Sequence, residues 1–239
     1  MSENHRDSNP QTDPWSAIRR DMIRQQIVAR GIKDPATLAA LERIPRERFV
    51  PQNQRDAAYE DRALPIGLGQ TISQPYIVAC MTEMLDLQKG MKVLEVGTGS
   101  GYQTALLAAM GGRVHTIDRL AELSRTARQM LAELGLEAKT EVHCHVGDGS
   151  IGLKNEAPFD RILVTAAAPQ IPPALLDQLV LGGQLVAPVG QADQQVLTRV
   201  VRQAGRTLEY PGLACRFVKL IGRQGWSESA PASGAVSSA

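Results

Sequence analysis

The chain has 239 residues, of which 43% are hydrophobic, a length and composition that suit one α/β domain with a substantial core. Its 26 lysine and arginine residues nearly balance its 25 aspartate and glutamate residues, so it lacks the basic excess expected of a nucleic-acid-binding protein. No apolar run approaches the roughly 20 residues of a membrane-spanning helix, so we expect no membrane partner.

The composition of both ends of the chain predicts disorder. The residues that follow the first end predict a helix. Residues 1–13 are polar, contain no apolar core of a secretory signal and are expected to be disordered. Residues 227–239 are rich in serine and alanine and predict a disordered tail. Apolar residues recur at helical spacing from Trp15 to Ile27, and Gly31 ends that helix.

A second short helix begins at Asp34 and Pro35, because proline is favoured in the first turn of a helix. This helix stops before Pro45. We therefore expect a helical amino-terminal region over residues 14–55, and residues 56–74 are interpreted as irregular.

Strands and helices alternate from residue 91 onward. The predicted strands are 92–96, 113–117, 140–146, 161–164, 184–188, 196–201 and 215–220, and the predicted helices are 102–110, 119–134 and 172–181. This order predicts an α/β fold with a doubly wound, mostly parallel sheet over residues 91–221, preceded by the helical extension. Ligands of such sheets bind beyond the carboxyl ends of the strands, so we expect the chemistry just after Val96, Ile117, Val146 and Val164.

Three alternate glycines follow the strand that ends at Val96, in the sequence Glu-Val-Gly-Thr-Gly-Ser-Gly over residues 95–101. Glycines permit a tight turn and a close approach of ligand to backbone, and the next helix begins with unpaired N–H groups. The dinucleotide fingerprint requires glycine or alanine where Tyr102 stands, and the loop resembles instead the S-adenosylmethionine (SAM) loop of class I methyltransferases. A bare strand-to-helix turn is the alternative. The candidate cofactor residues here are Glu95, Gly97, Thr98, Gly99, Ser100 and Gly101.

Two acidic residues end the next strands. Asp118 can accept hydrogen bonds from the hydroxyls of a ribose, although aspartate also suits a helix N-cap at this position. Asp148, followed by Gly149, can accept from an adenine amino group, although Gly-Asp-Gly also forms simple turns. We predict cofactor contacts for Asp118, Asp148 and Gly149.

One segment before the glycine loop is more specific. Residues 63–76, Ala-Leu-Pro-Ile-Gly-Leu-Gly-Gln-Thr-Ile-Ser-Gln-Pro-Tyr, closely resemble the signature of the protein-L-isoaspartate O-methyltransferase family. The resemblance continues through 93–104, 147–149, 157–162, 164–167, 185–190 and, more weakly, 216–218. It therefore covers nearly everything from about residue 22 to residue 220.

The resemblance implies a reaction. Members of this family transfer a methyl group from SAM to the free α-carboxylate of L-isoaspartyl residues in peptides and proteins, leaving S-adenosyl-L-homocysteine. The methyl ester then closes to a succinimide, whose hydrolysis restores some normal aspartate. It also implies a single SAM-dependent methyltransferase domain over residues 14–226, in which residues 56–76 form the substrate and cofactor loop.

The resemblance also implies roles for individual residues. Ser73 is expected to orient the acceptor carboxylate, and its alternative role is to cap the helix that follows. Lys219 stands where the family often has proline. Cofactor contacts are implied for Gln70, Thr71 and Ile72, and substrate contacts for Ile66, Ser73, Arg216, Phe217 and Val218. Ile66 and Val218 are alternatively core residues.

The chemistry implied needs neither a strong base nor a metal. A free α-carboxyl has a pKa of about 3.3–3.7 and is already ionised at neutral pH. His143 and His145 would share one face of a strand while Cys144 points away, so the three side chains would not converge, and we expect no metal site.

Other functions share part of this pattern. A SAM-dependent enzyme for a small molecule or RNA, or a non-catalytic SAM-binding protein, would have the same glycine loop; an NAD-dependent oxidoreductase fits less well. The three cysteines, far apart and odd in number, predict a reducing cytoplasm. We expect a monomer whose partners are isoaspartyl peptides and proteins, with no nucleic acid and no metal.

Overall fold

The computed structural model describes residues 13–136 and 141–228. The strands are β1 (Leu64–Gly67), β2 (Gln70–Ile72), β3 (Lys92–Val96), β4 (Arg113–Asp118), β5 (Val142–Val146), β6 (Phe159–Val164), β7 (Leu179–Gly190), β8 (Gln195–Gln203) and β9 (Arg206–Cys215). The α-helices are α1 (Ser16–Met22), α2 (Pro35–Arg43), α3 (Pro75–Leu85), α4 (Tyr102–Ala109), α5 (Ala121–Glu133) and α6 (Pro173–Asp177). The segments predicted to be disordered, 1–13 and 227–239, lie mostly outside the described residues.

Within the described residues, seven strands form one sheet in the order β5-β4-β3-β6-β7-β8-β9. The pairs from β5 through β7 are parallel, and β8 and β9 add antiparallel strands at one edge. The chain leaves β3 first toward β4 and β5 and later returns to β6 and β7 on its other side. This topology confirms the predicted doubly wound, mostly parallel sheet, and it places the switch point at the carboxyl ends of β3 and β6.

Apolar clusters cover both faces of the sheet. Along β3, Val93 packs into a cluster with α3 and α4, whereas Leu94 and Val96 pack on the opposite face with Leu175 of α6. A parallel strand covered by helices on both sides is buried on both faces, and these three β3 residues are at most 1% exposed. The amino-terminal helices join the first cluster, and Asp34 caps α2 by accepting from the Thr37 N–H at 2.7 Å.

Two predicted elements were wrong near the end of the chain. The strand predicted for 215–220 lies earlier, as β9, and residues 216–220 form an extended segment held by a single bridge between Ala167 and Lys219. The helix predicted for 172–181 ends at Asp177, because Leu179 already pairs with Phe159 in the sheet. The predicted start of β5 at residue 140 lies outside the described residues.

The segment 56–74, predicted to be irregular, contains a β-hairpin. β1 and β2 pair antiparallel, with Leu64 opposite Ile72. The turn between them has positive φ at Gly67, Leu68 and Gly69, of 94°, 51° and 69°. Glycine adopts these angles without strain, whereas Leu68 does so at a steric cost.

Candidate functional site

A pocket opens at the carboxyl ends of β3, β4 and β6, where the topology predicts a ligand. One side is formed by strand ends and the glycine loop, and the other by the segment after β2 and the extended segment after β9. Its lining residues are Gln70, Thr71, Ile72, Ser73, Val78, Met81, Val96, Gly97, Thr98, Gly99, Ser100, Tyr102, Gln103, Ile117, Asp118, Arg119, Leu120, Gly149, Thr165, Ala166, Val218, Lys219, Leu220 and Ile221.

The glycine loop turns directly after β3 and is held from β6. Gly97 has φ of 99°, and a side chain there would overlap the hydroxyl of Thr165. That hydroxyl donates to the carbonyls of Val96 and Gly97, at 3.0 and 2.7 Å. Only glycine fits at position 97, and the backbone of the loop forms the pocket wall.

Asp118 ends β4 beside this loop. Its two carboxylate oxygens each accept one backbone N–H, Oδ2 from Gly99 and Oδ1 from Leu120, both at 2.9 Å. A carboxylate oxygen has more than one acceptor site, so both oxygens can accept further hydrogen bonds from the pocket. Asp118 therefore orders the loop and can also receive two adjacent hydroxyl groups.

Glu95 and Gly101 were predicted to contact the cofactor, and the structure places neither on the pocket wall. Glu95 is fully buried under α4 and accepts a hydrogen bond from the Thr104 hydroxyl. Burial raises the pKa of Glu95 to about 8, so this carboxyl is protonated at neutral pH. Gly101 packs against Ala127 of α5.

Asp148 also lies outside the pocket wall. Its Oδ1 accepts from the N–H and the hydroxyl of Ser150, at 2.9 and 2.6 Å, and its Oδ2 accepts from the N–H of Arg223 at 2.8 Å. Burial acts to raise the pKa of Asp148, but these hydrogen bonds outweigh it and the pKa is lowered. This geometry favours the turn interpretation: Asp148 ties the turn after the 216–220 segment to the end of β5.

Ser73 follows the hairpin and lies on the pocket wall with Gln70, Thr71 and Ile72. The N-cap residue of α3 is Gln74, with no side-chain capping hydrogen bond, so the structure does not show Ser73 as a cap. The Ser73 carbonyl accepts from Arg46 Nη2 at 2.7 Å, and no protein partner of the Ser73 hydroxyl is found among the described residues.

Only some of the predicted substrate residues line the pocket. Val218 lines the pocket, whereas Arg216 and Phe217 do not, and the Phe217 N–H donates to Gln195 Oε1 at 2.9 Å. Ile66 lies next to the glycine loop, because a Cβ added at Gly99 would be 3.6 Å from Ile66 Cδ1.

Several wall residues were not predicted. Thr165, Ala166, Arg119 and Leu120 directly follow strand ends, where chemistry was expected, so the strand-end rule itself could have named them. Other missed wall residues lie on helices that enter the pocket from the side, and their apolar pattern resembles that of core residues. These are Val78, Met81, Tyr102 and Gln103.

The three histidines of the described residues, His115, His143 and His145, lie away from the pocket wall. His115 of β4 stacks on His143 of β5, and its Nδ1 is 3.3 Å from Nε2 of His145. Burial and the nearby Lys92 ammonium lower the pKa of His115 to about 4, so its ring is neutral at physiological pH. Residues 13–136 and 141–228 contain no group of three or more His, Cys, Asp or Glu side chains arranged to hold a metal ion.

The chain is similar to known proteins over most of its length. A sequence model of the protein-L-isoaspartate(D-aspartate) O-methyltransferase family matches residues 17–225. The protein-L-isoaspartate O-methyltransferase of Methanoculleus marisnigri is 51% identical over 90% of this chain and 97% of its own. That of Geobacter metallireducens is 48% identical, with coverage of 89% and 97%.

Solved structures have the same fold. A protein-L-isoaspartate O-methyltransferase structure superposes with a TM-score of 0.78 at 27% identity, covering 87% of this chain and 67% of that one. A structure of a Plasmodium falciparum protein of that name, in complex with S-adenosyl-L-homocysteine, superposes with a TM-score of 0.74 at 23% identity, covering 86% and 97%. The match to the latter extends over nearly all of that chain.

Proposed function

The chain belongs to the protein-L-isoaspartate(D-aspartate) O-methyltransferase family, and we propose which residues of its pocket bind the cofactor and which bind the acceptor. The protein transfers a methyl group from SAM to the free α-carboxylate of L-isoaspartyl residues in damaged peptides and proteins. The resulting methyl ester proceeds to a succinimide, which initiates repair. The observation on which this proposal rests is that Ser73 and Asp118 line the same pocket.

The strand-end side fits the cofactor. Asp118 is only 9% exposed and keeps acceptor sites for a ribose, and Ile117 and Leu120 supply apolar surface beside it. The backbone from Gly97 to Ser100 allows close approach. When bound, SAM supplies a methyl group on a positively charged sulfur. We propose that Gln70, Thr71 and Ile72 enclose this group from the hairpin side, while the predicted contact of Asp148 with adenine stays a prediction.

The hairpin side receives the acceptor. Its α-carboxylate is ionised at neutral pH, so the protein needs to orient a nucleophile rather than deprotonate one. We propose that the Ser73 hydroxyl donates a hydrogen bond to one carboxylate oxygen and directs the other toward the methyl group. Orientation of this kind supplies up to about 7–11 kcal/mol in favourable cases.

The walls beside Ser73 are suited to an extended peptide. Val218 lines the pocket, and Ile66 approaches it from the hairpin. We propose that these two residues contact the polypeptide on either side of the isoaspartyl residue. Arg216 and Phe217, which lie outside the wall, would act on the substrate only through the position of this segment.

We also propose the remaining properties of the protein. A single methyltransferase domain over residues 14–226 is supported by the family match to 17–225. We propose a monomer, and the net charge of +1 supports the absence of nucleic-acid partners. A cytoplasmic location is supported by the three cysteines, which are far apart in the sequence and odd in number. No described helix is long and apolar enough to cross a membrane.

The test uses methyl-labelled SAM and two peptides that differ only in L-isoaspartate against L-aspartate. We expect base-labile label on the isoaspartyl peptide alone. Equal labelling of both peptides would contradict the selectivity. No label on either, with SAM still bound by calorimetry, would assign the protein to another acceptor, such as a small molecule or RNA.

A further inference from the structure

Arg46 is a buried cation that the reaction described above does not use. Its side chain is 0% exposed, and no described carboxylate lies within salt-bridge distance of it. Burial lowers the pKa of Arg46 to about 10, so the guanidinium is still charged at neutral pH. Burying an unpaired charge is costly, and a purely apolar side chain would fill the same space without that cost.

The guanidinium joins three segments that meet at the pocket. Its Nε donates to the carbonyl of Ala58 at 2.7 Å, and its Nη2 donates to the carbonyl of Ser73 at 2.7 Å. Its carbon lies 5.1 Å from the ring centre of Tyr102, the first residue of α4 after the glycine loop. One rigid group therefore contacts the backbone of the acceptor side and a wall residue of the cofactor side.

The geometry of arginine explains why this group suits the position. A guanidinium is planar, and its N–H groups point in fixed directions, so two carbonyls held by it are fixed relative to each other. Lysine carries the same charge but only one nitrogen, and it cannot hold Ala58 and Ser73 with the same geometry. Arg46 Nη1 has no hydrogen-bond partner among the described residues, so the arginine also carries the free-energy cost of one buried, unsatisfied donor.

We propose that Arg46 is a positioning residue for methyl transfer: it fixes the backbone of Ser73 relative to the glycine loop, so that the Ser73 hydroxyl meets the acceptor carboxylate in line with the methyl group. This inference rests on the role of Ser73 proposed above. Arg46 acts through Ser73 and touches neither reactant.

Arg161, a residue of β6, provides a matched control at the other end of α3. Its side chain is 7% exposed, and its Nε donates to the carbonyls of Leu85 and Asp86, at 2.7 and 3.1 Å. Both arginines thus hold carbonyls at an end of α3, Arg46 just before its start and Arg161 at its finish. Only the first end borders the pocket, so a merely structural role predicts similar consequences for the two substitutions.

The experiment compares Arg46→Lys with Arg161→Lys in the full chain. For each variant, the melting temperature, the Kd for S-adenosyl-L-homocysteine, and kcat and KM for the isoaspartyl peptide are measured. We expect Arg46→Lys to lower kcat by about 3- to 10-fold with less than about threefold change in the Kd, because Arg46 acts only through Ser73 and the loss is at most that of the Ser73 hydrogen bond. We expect Arg161→Lys to lower the melting temperature and leave kcat unchanged.

A second variant, Arg46→Gln, removes the buried charge and keeps one donor, so it remains informative if Arg46→Lys does not fold. We expect the same selective loss of kcat. Equal loss of kcat in the Arg46 and Arg161 variants, or wild-type kcat in Arg46→Gln, would overturn the inference. The activity of the wild-type protein is measured before any variant is compared. If the wild-type protein methylates no isoaspartyl peptide, the proposed function is refuted, and the role of Arg46 falls with it.

Discussion

The two sides of the pocket are built in different ways. The cofactor side consists of the ends of neighbouring parallel strands, joined by hydrogen bonds such as Gly99 N–H to Asp118 and Thr165 hydroxyl to the Gly97 carbonyl. The acceptor side consists of segments that precede and follow the sheet strands, and the buried side chain of Arg46 holds one of them at the Ser73 carbonyl. The first side is a property of the fold, whereas the second depends on individual buried side chains.

The largest expected effect concerns SAM affinity, which should depend on Asp118 at the end of β4 and not on Asp148, which follows β5. Asp118→Asn should weaken SAM binding roughly 100-fold, because each lost hydrogen bond to a charged group is worth about 1.5–3 kcal/mol. Asp148→Asn is the matched control: the same charge is lost at a neighbouring strand end, outside the pocket wall. Calorimetric titration of both variants gives the two affinities.

An unchanged affinity in Asp118→Asn would remove the ribose assignment. An equally large loss in Asp148→Asn would support the sequence-based prediction that Asp148 contacts adenine, and its tie to the turn at Arg223 would then be a second role.

The next effect tests whether the two sides are functionally separate. Ser73→Ala should lower kcat about 10-fold, the value of one hydrogen bond to a charged group, and leave the affinity for SAM unchanged. Ser100→Ala removes a hydroxyl from the glycine-loop part of the same pocket wall, and it should leave kcat nearly unchanged because Ser100 is predicted to contact the cofactor and not the acceptor carboxylate. Single-turnover rates and titrations on both variants check this; full activity in Ser73→Ala would remove its proposed role.

The same contrast explains what the sequence could predict. The bounds of β3 were predicted correctly, and the glycine loop, which was expected beside a ligand, lines the pocket, because the pattern of apolar strand, glycines and helix is local. Arg46 could not be found in this way. It stands in Arg-Glu-Arg-Phe, and a charged run of that kind is normally solvent-exposed.

The strand predicted for residues 215–220 was wrong for a similar reason. β9 is an edge strand, exposed at most positions and containing Pro211, so it lacks the apolar alternation that identifies a strand. Residues 218–221, three of which are apolar, do have the composition of a strand, but they line the pocket instead. Burial against a ligand site and burial in a sheet require the same residue types, and only the tertiary structure separates them.

Glu95 offers a test in which pH is the variable. The carboxyl is buried beneath the glycine loop, and burial raises its pKa from 4.5 to about 8. Below pH 4.5 both the folded and the unfolded chain hold the proton. Between pH 4.5 and 8 the unfolded chain releases it, so the stability of the folded state is progressively lost as the pH rises.

In Glu95→Gln the carboxyl is replaced by an amide that does not ionise, so the variant does not lose stability in this way as the pH rises. Its free energy of unfolding relative to wild type should therefore increase between pH 5 and pH 8, by at most roughly 1.4 kcal/mol per pH unit. Urea unfolding at each pH measures it, and Glu133→Gln, at an exposed site on α5, is the control. A difference that does not change with pH would mean that Glu95 is ionised in the folded protein.

The smallest expected effect concerns the hairpin turn on the acceptor side. Leu68 has a φ of 51° and is 52% exposed, so it is strained without being part of the core. Asparagine tolerates this conformation better, and Leu68→Asn should raise the free energy of unfolding by about 0.5–1 kcal/mol. If the turn only connects β1 and β2, KM for the isoaspartyl peptide will not change. A raised KM with an unchanged Kd for SAM would show that the Leu68 side chain contacts the polypeptide, which would extend the acceptor side to the tip of the hairpin.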